Sequence, residues 1–192
     1  MSKIKIVGID PSLRNFGFAQ ATLDVHTLEY TIDNLILVES ENEAGKVVRK
    51  NSDDLRRAST LYKGLVRACA GASLAIAEVP VGSQSARAMA SYGMCVGVLA
   101  ACPIPLIQVT PTEVKLAAVG DKQAAKEEMV EWAMAKYPKA NWLMRKSKGR
   151  MVPMNDNEHL ADACAAIEAG LLTDQFQQAI SLYRSMDALK AA

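Results

Sequence analysis

Several features that would commit a chain to a class are scarce here. The 192 residues include only two histidines and four cysteines: Cys69, Cys95, Cys102 and Cys164. No two cysteines stand in C-x-x-C spacing, which leaves little with which to build a structural zinc site. Three of the four lie in Ala- and Val-rich stretches and read as small buried apolar residues in a reducing cytosol. Net charge is nearly absent at +1. Bulk charge therefore neither demands nor excludes nucleic acid, and a basic face must come from clustering. The opening MSKIKIVGID has no signal-peptide layout. One stretch, Ala88 to Thr112, carries no charge. Pro103 and Pro105 interrupt it and Ser91, Tyr92 and Gln108 dilute it, so a buried helix and strand explain it better than a membrane span. A cytoplasmic location is expected, in a bacterial cell or a phage-infected host.

Half the residues are hydrophobic and 22% are charged, an ordinary globular balance. The length suits one domain, residues 1–192, with a substantial core. Lys3 to Asp10, Asn15 to Leu23 and His26 to Val38 read as an antiparallel meander. Glu39 to Lys50 is polar and reads as a surface loop. Ser52 to Ala70 has helical spacing in Leu55, Leu61, Leu65, Val66 and Cys69. Leu74 to Val79 predicts a strand, Gln84 to Ala101 a helix, and Leu106 to Val109 a strand. Thr110, Pro111 and Glu113 form a capping-box helix start, and Gly120 ends that helix. Lys122 to Tyr137, Asp156 to Leu172 and Gln175 to Leu189 predict helices; Pro138 to Asn155 reads as irregular. The order implies an α/β fold, a mixed five-stranded sheet flanked by helices, with a three-stranded antiparallel meander plus parallel strands.

Two strands end in acids, Asp10 and Glu78. Sites in open α/β sheets form at the carboxyl ends of strands. A third acid, Asp162, lies in the Ala-rich helical run NDNEHLADACAAIEAG, and His159 and Glu158, three and four residues earlier, share its face. Converging carboxylates repel unless a cation neutralises them. Oxygen-rich donor sets suit Mg²⁺, with Mn²⁺ a plausible substitute. Two such ions, roughly 3.5–4 Å apart, serve phosphodiester hydrolysis. Each residue alone has a plainer reading: Asp10 as a strand-to-turn aspartate, Glu78 as a surface strand end, Asp162 as a helix-surface charge, His159 as a solvated histidine.

The ordered set GIDPSLRNFGFA, LAIAEVP, VTPTEVKLAAVGDKQAAKEEM and EHLADACAAIEAG strongly resembles the RuvC family of Holliday-junction resolvases, from about Lys3 to Gly170. The resemblance implies a ribonuclease H-like fold and a Mg²⁺-dependent homodimer that nicks four-way DNA junctions symmetrically. By it, Asp10, Glu78 and Asp162 match metal-holding acids. His159 matches the earlier position of the C-terminal pattern and is preferred to Glu158 as a fourth ligand. Lys115 and Lys126 match two family lysines; placed near helix starts above a metal site, they would hold phosphates, although solvated helix charges are the usual fate of lysine. The helix Gln84 to Ala101 matches one used for dimerisation, and a twofold dimer suits a substrate of approximate twofold symmetry.

Between Trp132 and Asn155 stand Lys136, Lys139, Arg145, Lys146, Lys148 and Arg150 without an acid. Arg145, Lys146, Lys148 and Arg150 are expected to follow a phosphate backbone, and Trp142 to stack on an unpaired base; a solvated loop is the alternative. A second basic cluster, Lys46, Arg49, Lys50, Arg56 and Arg57, is interrupted by Asp53 and Asp54. Val81 stands where the family carries a wedge aromatic, and Ser12 replaces a glycine. A flap or replication-fork nuclease, a catalytically silent junction binder and a sugar-kinase-like ATPase are the competing readings. The complete acid set disfavours the silent binder, and the short chain disfavours the kinase.

Overall fold

The computed structural model describes residues 3–41, 50–79, 82 and 84–191. Pro80 and Val81, with Lys46 and Arg49 of the second basic cluster and most of the expected surface loop, lie outside the described residues.

Five strands form one sheet: β1 (Lys3–Pro11), β2 (Asn15–Asp24), β3 (Tyr30–Glu39), β4 (Leu74–Glu78) and β5 (Leu106–Val109), in the order β3-β2-β1-β4-β5. The first three pair antiparallel, whereas β4 runs parallel to both β1 and β5. This is the expected mixed sheet. The helices are α1 (Lys50–Ala68), α2 (Ala86–Ala100), α3 (Pro111–Val119), α4 (Lys126–Lys136), α5 (Asn157–Leu171) and α6 (Asp174–Ala191). No helix among the described residues is long and apolar enough to cross a membrane.

Side chains alternate across a strand, and the sheet divides two cores accordingly. Val7, Ile9, Phe16, Phe18, Ala75 and Ala77 pack on one face with Leu61 and Leu65 of α1 and Val98 and Leu99 of α2. Ile6, Ala19, Leu23, Leu74, Ile76 and Ile107 pack on the other with α5. That parity matters for chemistry. Continuing Ile6 to Gly8 to Asp10, and Leu74 to Ile76 to Glu78, carries both strand-end acids onto the α5 face.

Helix α5 is covered nearly all round. Leu160, Ala161, Ala163, Cys164, Ala165, Ala166 and Ile167 are each 0% exposed. Its alanines let it lie close to the sheet, and two glycines complete the fit. A Cβ on Gly8 would stand 2.0 Å from the Ala163 carbonyl oxygen, and one on Gly17 would stand 2.1 Å from that of His159. Neither backbone atom can step aside. Gly8→Ala should therefore cost about 3 kcal/mol, seen as a thermal midpoint lowered by roughly 10 °C. A midpoint within a degree or two of wild type would show that α5 does not sit on β1 this tightly.

The segment Pro138 to Asn155 is not irregular as expected. It holds a hairpin, β6 (Met144–Ser147) and β7 (Arg150–Pro153), with Ser147 opposite Arg150. Its two loop residues, Lys148 and Gly149, both have positive φ, 47° and 80°, as a tight primed turn requires. Two asparagines mount the hairpin. The Asn141 amide donates to the Leu35 carbonyl at 2.9 Å and accepts from the Leu35 N–H at 2.7 Å, satisfying backbone groups on the sheet's edge strand. Asn157, fully buried, treats Leu143 in the same way at 2.8 and 2.9 Å.

Candidate active site

Asp10 is the penultimate residue of β1, just before the turn in which Ser12 accepts from the Asn15 N–H and donates to its carbonyl. A serine thus closes this turn without a glycine. Asp10 is buried, at 9% exposure. Its Oδ2 is 2.6 Å from Nδ1 of His159, which arrives from the first turn of α5. The other ring nitrogen is 3.7 Å from a Glu158 oxygen. Burial opposes a charged imidazole, but the bond to Asp10 and the surrounding carboxylates outweigh it and hold His159 above its ordinary value.

Glu78 ends β4, one strand away, and Asp162 follows one turn after His159. Loss of hydration pushes the Glu78 carboxyl up to about 8, Asp10 and Asp162 add to the rise, and Lys115 opposes it. Asp162 is pushed up to about 7, first by burial and then by Asp10, with His159 and Lys115 pulling the other way. Three carboxylates therefore share one poorly hydrated space, and the proton affinities of Glu78 and Asp162 rise in it. Among the described residues, no three His, Cys, Asp or Glu side chains are gathered closely enough to cage an ion as they stand. The Asp10–His159 bond engages two of the four expected donors with each other. The donor set nevertheless fits a hard divalent cation, whose charge would relieve the mutual repulsion of the carboxylates.

The two lysines are held differently. The capping box at Thr110 is present, with Glu113 accepting from the Thr110 N–H at 2.7 Å and Thr110 accepting from the Glu113 N–H at 3.3 Å. It sets α3, and with it Lys115, whose Nζ donates to the Ala124 carbonyl at 2.8 Å. That carbonyl anchors the ammonium while its field reaches Glu78 and Asp162. Lys126 opens α4 and pairs with Glu158 at 2.9 Å, which raises its proton affinity. So Glu158 faces the lysine, whereas His159 faces Asp10. Beside the Lys126–Glu158 pair a cleft of about 350 Å³ opens, bordered also by Val130, Pro153 and Asn155.

Arg145, Lys146, Lys148 and Arg150 are all exposed on the β6–β7 hairpin. Trp142 is half-buried against the α5-side core, and its indole N–H donates to the Tyr137 carbonyl at 3.0 Å, which anchors the ring at the hairpin's foot. Arg57, from the second basic cluster, is also structural. It is 8% exposed, and donates to the Ser40 and Leu13 carbonyls at 2.8 and 3.2 Å, tying the β1–β2 turn to the end of β3. Arg56 is spent on Asp53 at 2.6 Å. Asn141 and Asn157 escaped the sequence reading. The only signal was an asparagine in each flank of the hairpin, which pattern alone does not distinguish from a turn residue.

No family model matches the chain. Its sequence is 30% identical over 134 residues to the crossover junction endodeoxyribonuclease RuvC of Paracidovorax citrulli (strain AAC00-1), covering 67% of this chain and 69% of that protein. Among solved structures, Thermus thermophilus RuvC in complex with a Holliday junction substrate matches with a TM-score of 0.61 at 18% identity, over 86% of this chain and 92% of that one. A further T. thermophilus RuvC structure gives 0.59 at 17% identity over the same shares. The structural likeness establishes the ribonuclease H-like fold. With the sequence identity, it follows that the chain belongs to the RuvC family.

Proposed function

We propose that this protein is a structure-selective endonuclease that resolves Holliday junctions by divalent-metal-dependent phosphodiester hydrolysis. One observation carries the reading: Asp10, Glu78 and Asp162 converge from two strand ends and a helix into a space that raises Glu78 to about 8 and Asp162 to about 7. Burying mutually repelling acids is costly for a fold, and a pure DNA binder would gain nothing from turning them toward phosphates.

Asp10, Glu78, Asp162 and His159 would hold two Mg²⁺ ions, with Mn²⁺ as a substitute. Bound there, such ions supply an activated water and charge neutralisation at the leaving oxygen. Lys115, fixed by the Ala124 carbonyl, holds a non-bridging phosphate oxygen beside the acids. Lys126 exchanges its partner Glu158 for a flanking phosphate. His159 must shed its proton to act as a ligand, so the bond to Asp10 keeps the ring oriented until then. His159→Ala should lower activity about 10- to 100-fold and Glu158→Ala by less. The reverse ranking would move the fourth ligand to Glu158.

The homodimer is part of the proposal. Helix α2 turns a strip of small residues outward: Ala86, Ala90, Gly93 and Gly97 are all exposed, beside Met89 at 42%. Neighbouring α1 exposes Leu55 at 73%, Tyr62 at 42% and Val66 at 38%. These exposed apolar side chains on two neighbouring helices are the proposed pairing face. A twofold pairing through it would present two sites to strands of matching polarity.

The test is incubation with a labelled four-way junction, a flap and a linear duplex, with Mg²⁺ or with EDTA. Paired symmetric nicks confined to the junction, and lost in EDTA, are expected. Equal cutting of junction and flap would favour a broader branched-DNA nuclease, and equal cutting of all three would reject structure selectivity.

A further inference from the structure

The β6–β7 hairpin carries more than positive charge. Residues opposite one another in a ladder share a face. Met144 pairs with Pro153 and Lys146 with Met151, so Met144, Met151 and Pro153 share one side of the ribbon. Both methionines are exposed, Met151 at 61% and Met144 at 38%. Arg145 and Arg150 lie on the opposite side, by the same register. Among the described residues, none of Arg145, Lys146, Lys148 and Arg150 has a carboxylate partner, in contrast to Arg56, Arg87, Lys126 and Lys136. A two-stranded ribbon that exposes apolar side chains among unpaired cations is built for a polyanion with an apolar interior. The ribbon is also aimed. Asn157 clamps Leu143, the residue just before β6, and Asn157 stands two residues before His159 and five before Asp162. Pro153, opposite Met144 at the same end of the ribbon, borders the cleft beside Lys126 and Glu158.

We propose that the β6–β7 hairpin is a probe for unstacked DNA bases, with Met144 and Met151 packing against base faces opened at a strand crossover while Arg145 and Arg150 hold the flanking phosphates. Flexible apolar side chains are suited to entering a disturbed base step. In an intact duplex the bases are stacked, so that the same face finds only the phosphate contacts that are indifferent to structure. The inference rests on the junction-nuclease reading and adds the element that senses the branch.

The experiment uses the full chain in Ca²⁺ or EDTA and a four-way junction with 2-aminopurine at the crossover, with a linear duplex of the same sequence beside it. Junction nicking in Mg²⁺ is measured in parallel. Wild-type protein should raise 2-aminopurine emission on the junction. The pair Met144→Ser with Met151→Ser should abolish that rise and weaken junction binding roughly ten-fold, a several-fold greater loss than on duplex. The pair Met144→Leu with Met151→Leu should restore both, which a merely misfolded hairpin would not. If the serine pair keeps the wild-type emission and affinity, the hairpin does not sense bases. If wild type nicks the junction without any emission change, the probe is likewise overturned while the nuclease reading stands. If wild type neither nicks the junction nor prefers it to duplex, both fall together.

Discussion

Replacing Asp10 or Asp162 by asparagine is expected to slow junction nicking by about a thousand-fold, the scale on which losing one preorganised charge-stabilising group acts, with the fold intact. Asparagine keeps each side chain's size and its oxygen, so the sheet–helix contact is retained. What is lost is negative charge. At Asp10 the change also exchanges the charged acceptor that orients His159 at 2.6 Å for a neutral amide, so Asp10→Asn should weaken two donors at once and be the more severe. At Asp162 the change relieves a repelled carboxyl, so the variant without metal should be at least as stable as wild type. Circular dichroism and junction cleavage measured on the same preparations check both halves. Activity within ten-fold of wild type for either variant would remove that residue from the site.

Stability without divalent metal is expected to fall as pH rises from about 5 to 8. Glu78 takes a proton at about 8 in the folded chain against an ordinary 4.5, and Asp162 at about 7 against 3.8. Between those limits the folded state holds protons that the unfolded state has released, so raising pH favours unfolding. His159, also raised, acts in the same direction: its favourable charge is present below about 6.5 and is lost as pH passes its folded value. The combined effect should be on the order of 3 kcal/mol, a midpoint roughly 10 °C lower at pH 8 than at pH 5. Mg²⁺ needs the deprotonated donors, so its stabilisation should be large at pH 8 and small at pH 5. Glu78→Gln should flatten the metal-free profile and remove much of the Mg²⁺ effect. Thermal scans at several pH values, with EDTA and with Mg²⁺, decide it. A metal-free midpoint that rises toward pH 8 would contradict the mutual repulsion on which the site rests.

Much of this architecture is legible in the residues. Strand parity through Ile6, Gly8 and Asp10 places the first acid on a definite face, and the alanine run of α5 shows which helix can approach it. Thr110, Pro111, Glu113 and Gly120 mark both ends of α3 through local chemistry alone, so the position of Lys115 on that helix follows from them. The hairpin is less legible. Its strands are four residues each, almost wholly exposed and with charges scattered among them, so no buried apolar alternation marks them, and only Lys148–Gly149 hints at the turn. Trp142 shows a different limit. An aromatic in a basic segment suggests stacking, but composition does not reveal that the Tyr137 carbonyl, five residues back, takes its N–H. Arg57 is a tertiary case: its carbonyl partners, Leu13 and Ser40, come from other elements. The Asp10–His159 contact joins residues 149 apart in sequence, so their partnership comes from the family pattern and its geometry from the fold.

The central claim is that Asp10, Glu78 and Asp162 form one cation-holding site. Titrating the protein with Mn²⁺ at pH 8, and counting bound ions by electron paramagnetic resonance in wild type and in Asp162→Asn, tests it most directly. Up to two ions per chain in wild type and a clear loss in the variant are predicted. Equal binding in both, or none in wild type at millimolar Mn²⁺, would contradict the account.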